Sequence, residues 1–362
     1  MTGDRRYRPA VPAELSEVFV AEGLEVLGIV SALPDHGDEV YRRREREHRE
    51  YREWLRMGYH GTMRYLERHS EGKFNPRAIL EGCRSVVLVG LNYFQHVPAL
   101  GDARAGRVAR YAWGRDYHKT LGGKLKRVCN ELRDRYPGHM FRGFTDATPL
   151  AERTFAEEAG IGFVGRNTLL INARLGSWFV IGEILTTALL PASNSPAGVH
   201  GACPRSCRNC IDVCPTGALE GPHRINAARC ISYLTIELRG SIPPELRPLI
   251  GEWLFGCDLC QEVCPLNAVA QPSTEPDFTV WKAGPQQEIE AVLAIENDQE
   301  FTARFAGTPL MRAKRSGLLR NACIVAANRG ARELLPALRR RAGDHDATIA
   351  EHARWAVDRL SR

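Results

Sequence analysis

No stretch of this 362-residue sequence is apolar for long enough to cross a bilayer, and its opening residues, MTGDRRYRPAVPAEL, lack the apolar core of a secretory signal. Membrane-spanning functions are therefore excluded, and a cytoplasmic location is expected. Eleven cysteines without an export signal point to reduced thiols and metal rather than disulfides. A working nicotinamide fingerprint is also missing. Gly160, Gly162 and Gly165 match G-x-G-x-x-G, but that motif must follow a strand and open a helix. Here it follows a helical pattern and runs into GRNTLLI, which reads as extended. These glycines are expected to let the backbone approach another group closely. The D-x-H-x-x-G pattern, in which a histidine ligates cobalt, is absent as well, because in Asp116-Tyr117-His118-Lys119-Thr120-Leu121-Gly122 the glycine comes one position late.

Eight of the eleven cysteines lie between Cys203 and Cys264. Cys207, Cys210 and Cys214-Pro215 repeat the phrase made by Cys257, Cys260 and Cys264-Pro265, namely C-x2-C-x3-C-P. That is the ligand rhythm of two-cluster ferredoxins, in which the cysteine before proline crosses to the other cluster. Crossing over assigns Cys203, Cys207, Cys210 and Cys264 to one [4Fe-4S] cluster, and Cys214, Cys230, Cys257 and Cys260 to the other. Two features depart from the rhythm. Cys203 and Cys207 are spaced C-x3-C, and Leu254 stands where the second run would begin, so that Cys230 substitutes. A pair of four-cysteine zinc sites is the alternative, and the doubled C-x3-C-P argues against it. Cys83, Cys129 and Cys323 read as small buried hydrophobes, and His96, His139 and His200 as structural or exposed.

Charge is uneven. Residues 301–362 carry 13 Lys/Arg against 5 Asp/Glu, a net of +8 in a chain whose total is +6. A basic end on a near-neutral body suits a polyanionic partner, although a solvated helical surface has the same composition.

In chain order, 12–23 reads as an amphipathic helix and 25–30 as a strand. Residues 41–56, with seven Arg and four Glu, read as an ion-paired exposed helix, with RNA contact as the alternative. A short helix fits 63–69, a buried strand 85–94, and a helix 117–136 stopped by Pro137. A strand over 140–146 ends in Asp146, and Pro149 opens a helix that stops at Gly160. Residues 176–190 read as a strand bent at Gly182. Strands alternating with helices make an α/β body over about residues 12–195. Residues 191–202 form a linker, the chain is loop-like after Pro265, and it is helical from about Gln286. LRNACIVAANRG and AEHARWAVDRL resemble each other at an offset of 31, as stacked helical repeats do.

Clusters move electrons but do not select a substrate. Asp146 ends a strand at the expected carboxyl edge of the sheet, where open α/β folds hold ligands. Arg153 follows about one turn into the next helix, and Tyr117 and His118 open the preceding one. A carboxyl, a phenol and a guanidinium on one pocket could protonate a reduced intermediate. Asp146 could equally be an acid at the helix N-terminus.

RYAWGRDYHK, FTDATPLAERTFAEEAGIGFVGRNTLLI, the cysteine run with PTGAL, RCISYLTIELRG and GCDLCQEVCPLN together resemble the epoxyqueuosine reductase family, from about residue 60 to the C-terminus. The resemblance implies an α/β cobalamin-binding body akin to reductive dehalogenases (residues 1–195), a ferredoxin-like module with two [4Fe-4S] clusters (196–275) and a basic HEAT-like helical domain that binds transfer RNA (276–362). It implies Asp146 as proton donor and Tyr117 as the active-site tyrosine. His118, Arg153, Gly165, Asn167 and Ser232 would lie near the corrin, and Arg239, Arg312, Lys314, Arg315 and Arg320, with Arg339–Arg341, against RNA. Arg166 replaces the usual lysine of G-K-N. The clusters would pass single electrons to base-off cobalamin, and its cob(I) state would drive removal of the epoxide oxygen at the wobble base of transfer RNAs with GUN anticodons. An external low-potential donor, no membrane and a monomer are expected. Alternatives are a dehalogenase-like enzyme acting on a small molecule and a ferredoxin fused to a binding domain.

Overall fold

The computed structural model describes residues 11–24, 26–33, 38–98, 104–146, 149–193 and 201–362; His200 and most of the expected linker lie outside them.

Four strands form the main sheet: β1 (Val26–Ser31), β2 (Ser85–Asn92), β7 (Phe179–Thr186) and β4 (Phe141–Phe144), in the order β1-β2-β7-β4. Every pairing is antiparallel. The expectation of an open sheet with a single carboxyl edge is therefore corrected. Because β2 and β4 both run against β7, their C-terminal ends still share one edge, and Asp146 lies just beyond it.

Side chains alternate across this sheet, as period two requires. Val87, Val89, Leu91, Phe141 and Ile184 face one apolar layer, together with α1 (Ala13–Val20) and α4 (Tyr117–Arg135). Val86, Leu88 and Leu185 face another, built on Phe155 and Ala156 of α5 (Glu152–Glu158). Gly182 does not bend β7, which pairs regularly through it. A Cβ there would come within 3.0 Å of Leu121 and Leu125, so glycine lets α4 pack closely.

The helix α2 (Glu39–Arg56) is ion-paired, but its key bonds are tertiary. Arg44 meets Glu158 at 2.6 Å and donates to the carbonyls of Ser31 and Ala32, while Arg43 pairs with Glu157. Among the remaining pieces are the one-turn helix α3 (Tyr65–Arg68) and the hairpin β5 (Phe163–Val164) and β6 (Leu170–Ile171).

A second sheet joins one strand from the first third of the chain to two from the last. β3 (Ala105–Val108) lies between β10 (Trp253–Phe255) and β11 (Gln286–Glu288). Leu254 in β10 is fully buried and packs on Gly106, so a core position occupies the place of the missing cysteine. The cysteine segment holds the one-turn helices α6 (Asn209–Asp212) and α8 (Leu259–Glu262), the small hairpin β8 (Leu219–Gly221) and β9 (Arg224–Ile225), and α7 (Ile231–Ile236). Beyond it come α9 (Pro276–Thr279), α10 (Ile289–Leu293), α11 (Asp298–Phe305), α12 (Lys314–Asn328), α13 (Leu335–Arg341) and α14 (Ala347–Leu360). The repeat-matched residues Asn321, Ala322, His352 and Ala353 are all fully buried in α12 and α14.

Candidate functional site

The thiols fall into two groups. Cys203, Cys207, Cys210 and Cys264 line a narrow recess, partly open to solvent, with Arg166, Asn167, Pro204 and Pro265 around it. Burial pushes the Cys210 thiol up, and the sulfurs of Cys203, Cys264 and Cys207 push it further. The backbone N–H of Arg166 donates to Cys203 Sγ at 3.4 Å. In the second group, burial raises Cys257, and Cys230 and Cys260 add to it. Cys260 is raised by burial and then by Cys230, Asp258, Cys210 and Cys214. Cys260 thus faces its own group and also Cys210 of the other, so the two groups adjoin. Sulfurs gathered in fours are good ligands for a cationic cluster, and burial raises the thiols of Cys210, Cys264, Cys230, Cys257 and Cys260. Cys83, Cys129 and Cys323 are buried among apolar neighbours, as expected.

The β5–β6 hairpin joins this region to the sheet edge. It follows a helix, so the glycine-rich stretch is no nucleotide fingerprint here. A Cβ at Gly162 would strike the Ile171 carbonyl and one at Gly165 the Ile171 side chain, so these glycines close the hairpin tightly. Asn167 is buried, accepts from Leu169 N–H and donates to the Cys260 carbonyl at 3.4 Å. Arg153 donates to the Thr168 carbonyl from the other side. It is the second residue of α5, which begins at Glu152 and not at Pro149, because the Ala151 N–H is taken by the Lys73 carbonyl at 2.8 Å. Ser232 is half-buried on α7, two residues after Cys230.

Asp146 stands at the centre of the second constellation. Its backbone has φ +50°, in the left-handed region that L-residues avoid. Its carboxyl is half-exposed, and three side chains converge on Oδ2. The Tyr117 hydroxyl donates at 2.9 Å, His118 Nε2 lies at 3.7 Å and Arg312 at 3.6 Å. Asp116 caps α4 through the His118 N–H and also holds His118 Nδ1 at 2.8 Å, fixing the ring. Tyr117 stacks on His118 with centroids 4.2 Å apart, and its phenol is pushed up by burial and then by Asp146. It therefore remains a donor. Burial works against the charge of Arg312, but Glu237, at 2.5 Å, and Asp146 outweigh it, so its pKa is raised.

Several residues expected at RNA belong elsewhere. Arg320 is 1 % exposed and spends its guanidinium on the carbonyls of Leu234, Leu238 and Gly240 and on Asn321. Arg315 is buried on Asp344 and the Ile295 carbonyl, and Arg341 on Asp344, Glu296 and two carbonyls. None of these three can reach a phosphate. Positive charge in sequence does not say which way a side chain points, and here buried carbonyls at chain turns claim the cations. Arg239 donates to the carbonyls of Ala313 and Arg312, supporting the segment that carries Arg312. Lys314, Arg339 and Arg340 are exposed.

Sequence reasoning missed Glu152, Glu183, Lys73 and Glu237. Glu183 had a visible signal, a lone acid inside the apolar run WFVIGEILTT. Among the described residues no helix is long and apolar enough to cross a membrane.

Residues 203–267 match the family model of a 4Fe-4S double cluster binding domain, and residues 73–147 match one described as epoxyqueuosine reductase QueG. An epoxyqueuosine reductase of Pseudomonas aeruginosa is 39% identical over 311 residues, covering 84% of this chain and 85% of that one. The Escherichia coli enzyme of that name is 38% identical over 313 residues, covering 84% and 80%. A crystal structure of epoxyqueuosine reductase with an epoxyqueuosine-modified tRNA-Tyr stem loop superposes with a TM-score of 0.83 at 28% identity, covering 96% of this chain and 90% of that one. A Bacillus subtilis epoxyqueuosine reductase, solved with its catalytic aspartate loop swung out of the active site, gives a TM-score of 0.82 at 29% identity, covering 96% and 89%.

Proposed function

The chain belongs to the epoxyqueuosine reductase family, and on that premise we propose that it reduces epoxyqueuosine at the wobble position of transfer RNA to queuosine, the last step of making that base. The observation that carries this is the convergence of Tyr117, His118 and Arg312 on the half-exposed carboxyl of Asp146, one hairpin away from the thiols.

Two [4Fe-4S] clusters fit the sulfur groups: Cys203, Cys207, Cys210 and Cys264 around the recess, and Cys214, Cys230, Cys257 and Cys260 grouped beside it. Cobalamin fits the ground beside Asp146. The buried Thr145 hydroxyl next to it has no partner among the described residues, and an amide-fringed macrocycle would supply one. His118 is engaged by Asp116 through Nδ1 and turned to Asp146 through Nε2, so both ring nitrogens are committed to the protein. Tyr117, His118, Arg153, Gly165, Asn167 and Ser232 are the residues we assign to its surroundings. Held there and fed from an external low-potential donor through the clusters, cobalamin supplies two electrons in reducing form.

The chain's own residues manage protons and orientation. Loss of the epoxide oxygen as water consumes two electrons and two protons and leaves an alkene. Asp146 gives one proton to the departing oxygen and solvent supplies the second, and Tyr117 fixes the rotamer from which Asp146 acts. Arg312, held by Glu237, faces the same Oδ2 and helps to orient it. The wobble base must leave its stack to reach this site. Exposed Lys314, Arg339 and Arg340 hold phosphates.

By this reading residues 1–195 are the cofactor-binding body, 196–275 the cluster module and 276–362 a HEAT-like RNA-holding end. Offering the reduced protein an epoxyqueuosine stem loop together with a chlorinated arene tests the assignment. Queuosine in the digested RNA supports it, and dechlorination without queuosine overturns it.

A further inference from the structure

Glu183 is a carboxyl in the middle of a sheet. It is fully buried on β7, paired with Leu88 of β2 on one side and Phe144 of β4 on the other. A buried acid is costly unless it is bonded or neutral. Glu152, the first residue of α5, supplies the bond, because the two side chains are hydrogen-bonded to each other. An ionised carboxylate only accepts, so a bond between two carboxyls requires a proton on one of them. Glu152 Oε1 also accepts the backbone N–H of Asp146 at 3.2 Å. This is the residue whose backbone sits at φ +50°, a conformation that has to be held by something outside itself.

We propose that Glu152 is the positioning residue of Asp146, holding its backbone through an acid pair with Glu183 that shares a single proton. The charged groups facing the pair are Asp146 before α5, Lys73 from the loop before β2, and Arg153 on α5 itself, with Glu47 of α2 acting on Arg153. Lys73 Nζ donates to the Pro149 carbonyl at 3.3 Å, so it braces the same turn. Burial, and then the charge of Asp146, raise the Glu152 carboxyl to about 7, against the opposing bond from Glu183. The shared proton is therefore present in mild acid and lost as pH rises through neutrality. Two bare carboxylates beside Asp146 then repel each other and the anchor on its amide weakens.

The functional weight of this rests on Asp146 as proton donor, but the test reads the backbone alone. Hydrogen exchange of the Asp146 amide is followed in the full, cluster-loaded chain at pH 6 and pH 8, corrected for intrinsic chemistry. Protection should fall by about tenfold at pH 8, one unit above the raised value. Glu152→Gln keeps both bonds without needing a proton, and so does Glu183→Gln, so each should hold protection level between the two pH values. Glu152→Leu should lose it at both. Protection independent of pH in the wild type, or Glu152→Gln following the wild type, overturns the proposal. A chain that shows the expected exchange yet makes no queuosine would instead count against the reductase assignment.

Discussion

The Tyr117 hydroxyl donates to Oδ2 of Asp146 across 2.9 Å, tying the first residue of α4 to a residue two positions past the end of β4. One carboxyl oxygen is thus committed to the protein. Asp146→Asn keeps a side chain of the same shape but removes the acid, so turnover should disappear while iron content and RNA affinity stay. Tyr117→Phe should leave the acid but free its rotamer, slowing single turnover by about a hundredfold. Rapid-quench assays with iron and RNA-binding controls check both.

The eight thiols divide four and four by position, so their loss should be quantal. Serine at Cys203 or Cys264 should cost about half the bound iron, and so should serine at Cys230 or Cys257. Changes at Cys83, Cys129 and Cys323 should leave iron unaltered. Iron and sulfide analysis after anaerobic reconstitution separates these outcomes.

Arg312 and Arg320 lie eight residues apart and should behave oppositely. Arg320 satisfies buried carbonyls of three residues, so Arg320→Met should destabilise the helical end by about 3 kcal/mol. Arg312→Ala leaves little buried, so it should spare stability and reduce turnover. Thermal unfolding beside activity distinguishes a structural cation from a functional one.

His352 is fully buried, accepting from Ile242 N–H and bonded to the Thr348 carbonyl. Burial pulls it down to about 4, with Arg247 and Arg320 helping and Glu351 opposing. Its folded value lies below its unfolded one, so its contribution is intact above about 6.5 and is lost as pH falls toward 4. His352→Gln can keep both bonds and should make stability less steep in that window. Denaturant midpoints between pH 7 and pH 4 measure it.

RNA binding should weaken steeply with salt through Lys314, Arg339 and Arg340. Replacing these three should flatten the salt slope, whereas Arg315 should not contribute to it. A salt titration of affinity checks both statements.

The ligand spacing was legible because a cluster loop is local: three cysteines in one turn-and-helix carry their geometry in sequence. Tyr117 was legible from its place at a helix start, and Asp146 from a strand that ends two residues earlier than the pattern suggests, at Phe144. Strand direction was not, since an apolar run such as SVVLVGLN reads alike in parallel and antiparallel sheets. The fates of Arg312, Arg315 and Arg320 were hidden for a related reason. They fall within nine residues and share a charge, yet Arg312 reaches Asp146, Arg315 is held by Asp344 and the Ile295 carbonyl, and Arg320 by carbonyls that only the tertiary fold brings near. The sheet made from β3, β10 and β11 joins residues 146 to 183 positions apart, a pairing with no local signature.

Stoichiometric turnover is the most direct test of the central claim. The protein is reconstituted anaerobically with iron, sulfide and cobalamin, reduced, and given transfer RNA carrying epoxyqueuosine. Electrons consumed are counted against queuosine found by mass in the digested RNA. The account predicts two electrons per queuosine, dependence on cobalamin, and none of either with Asp146→Asn. Queuosine formed without cobalamin, or at an undiminished rate by Asp146→Asn, would contradict it.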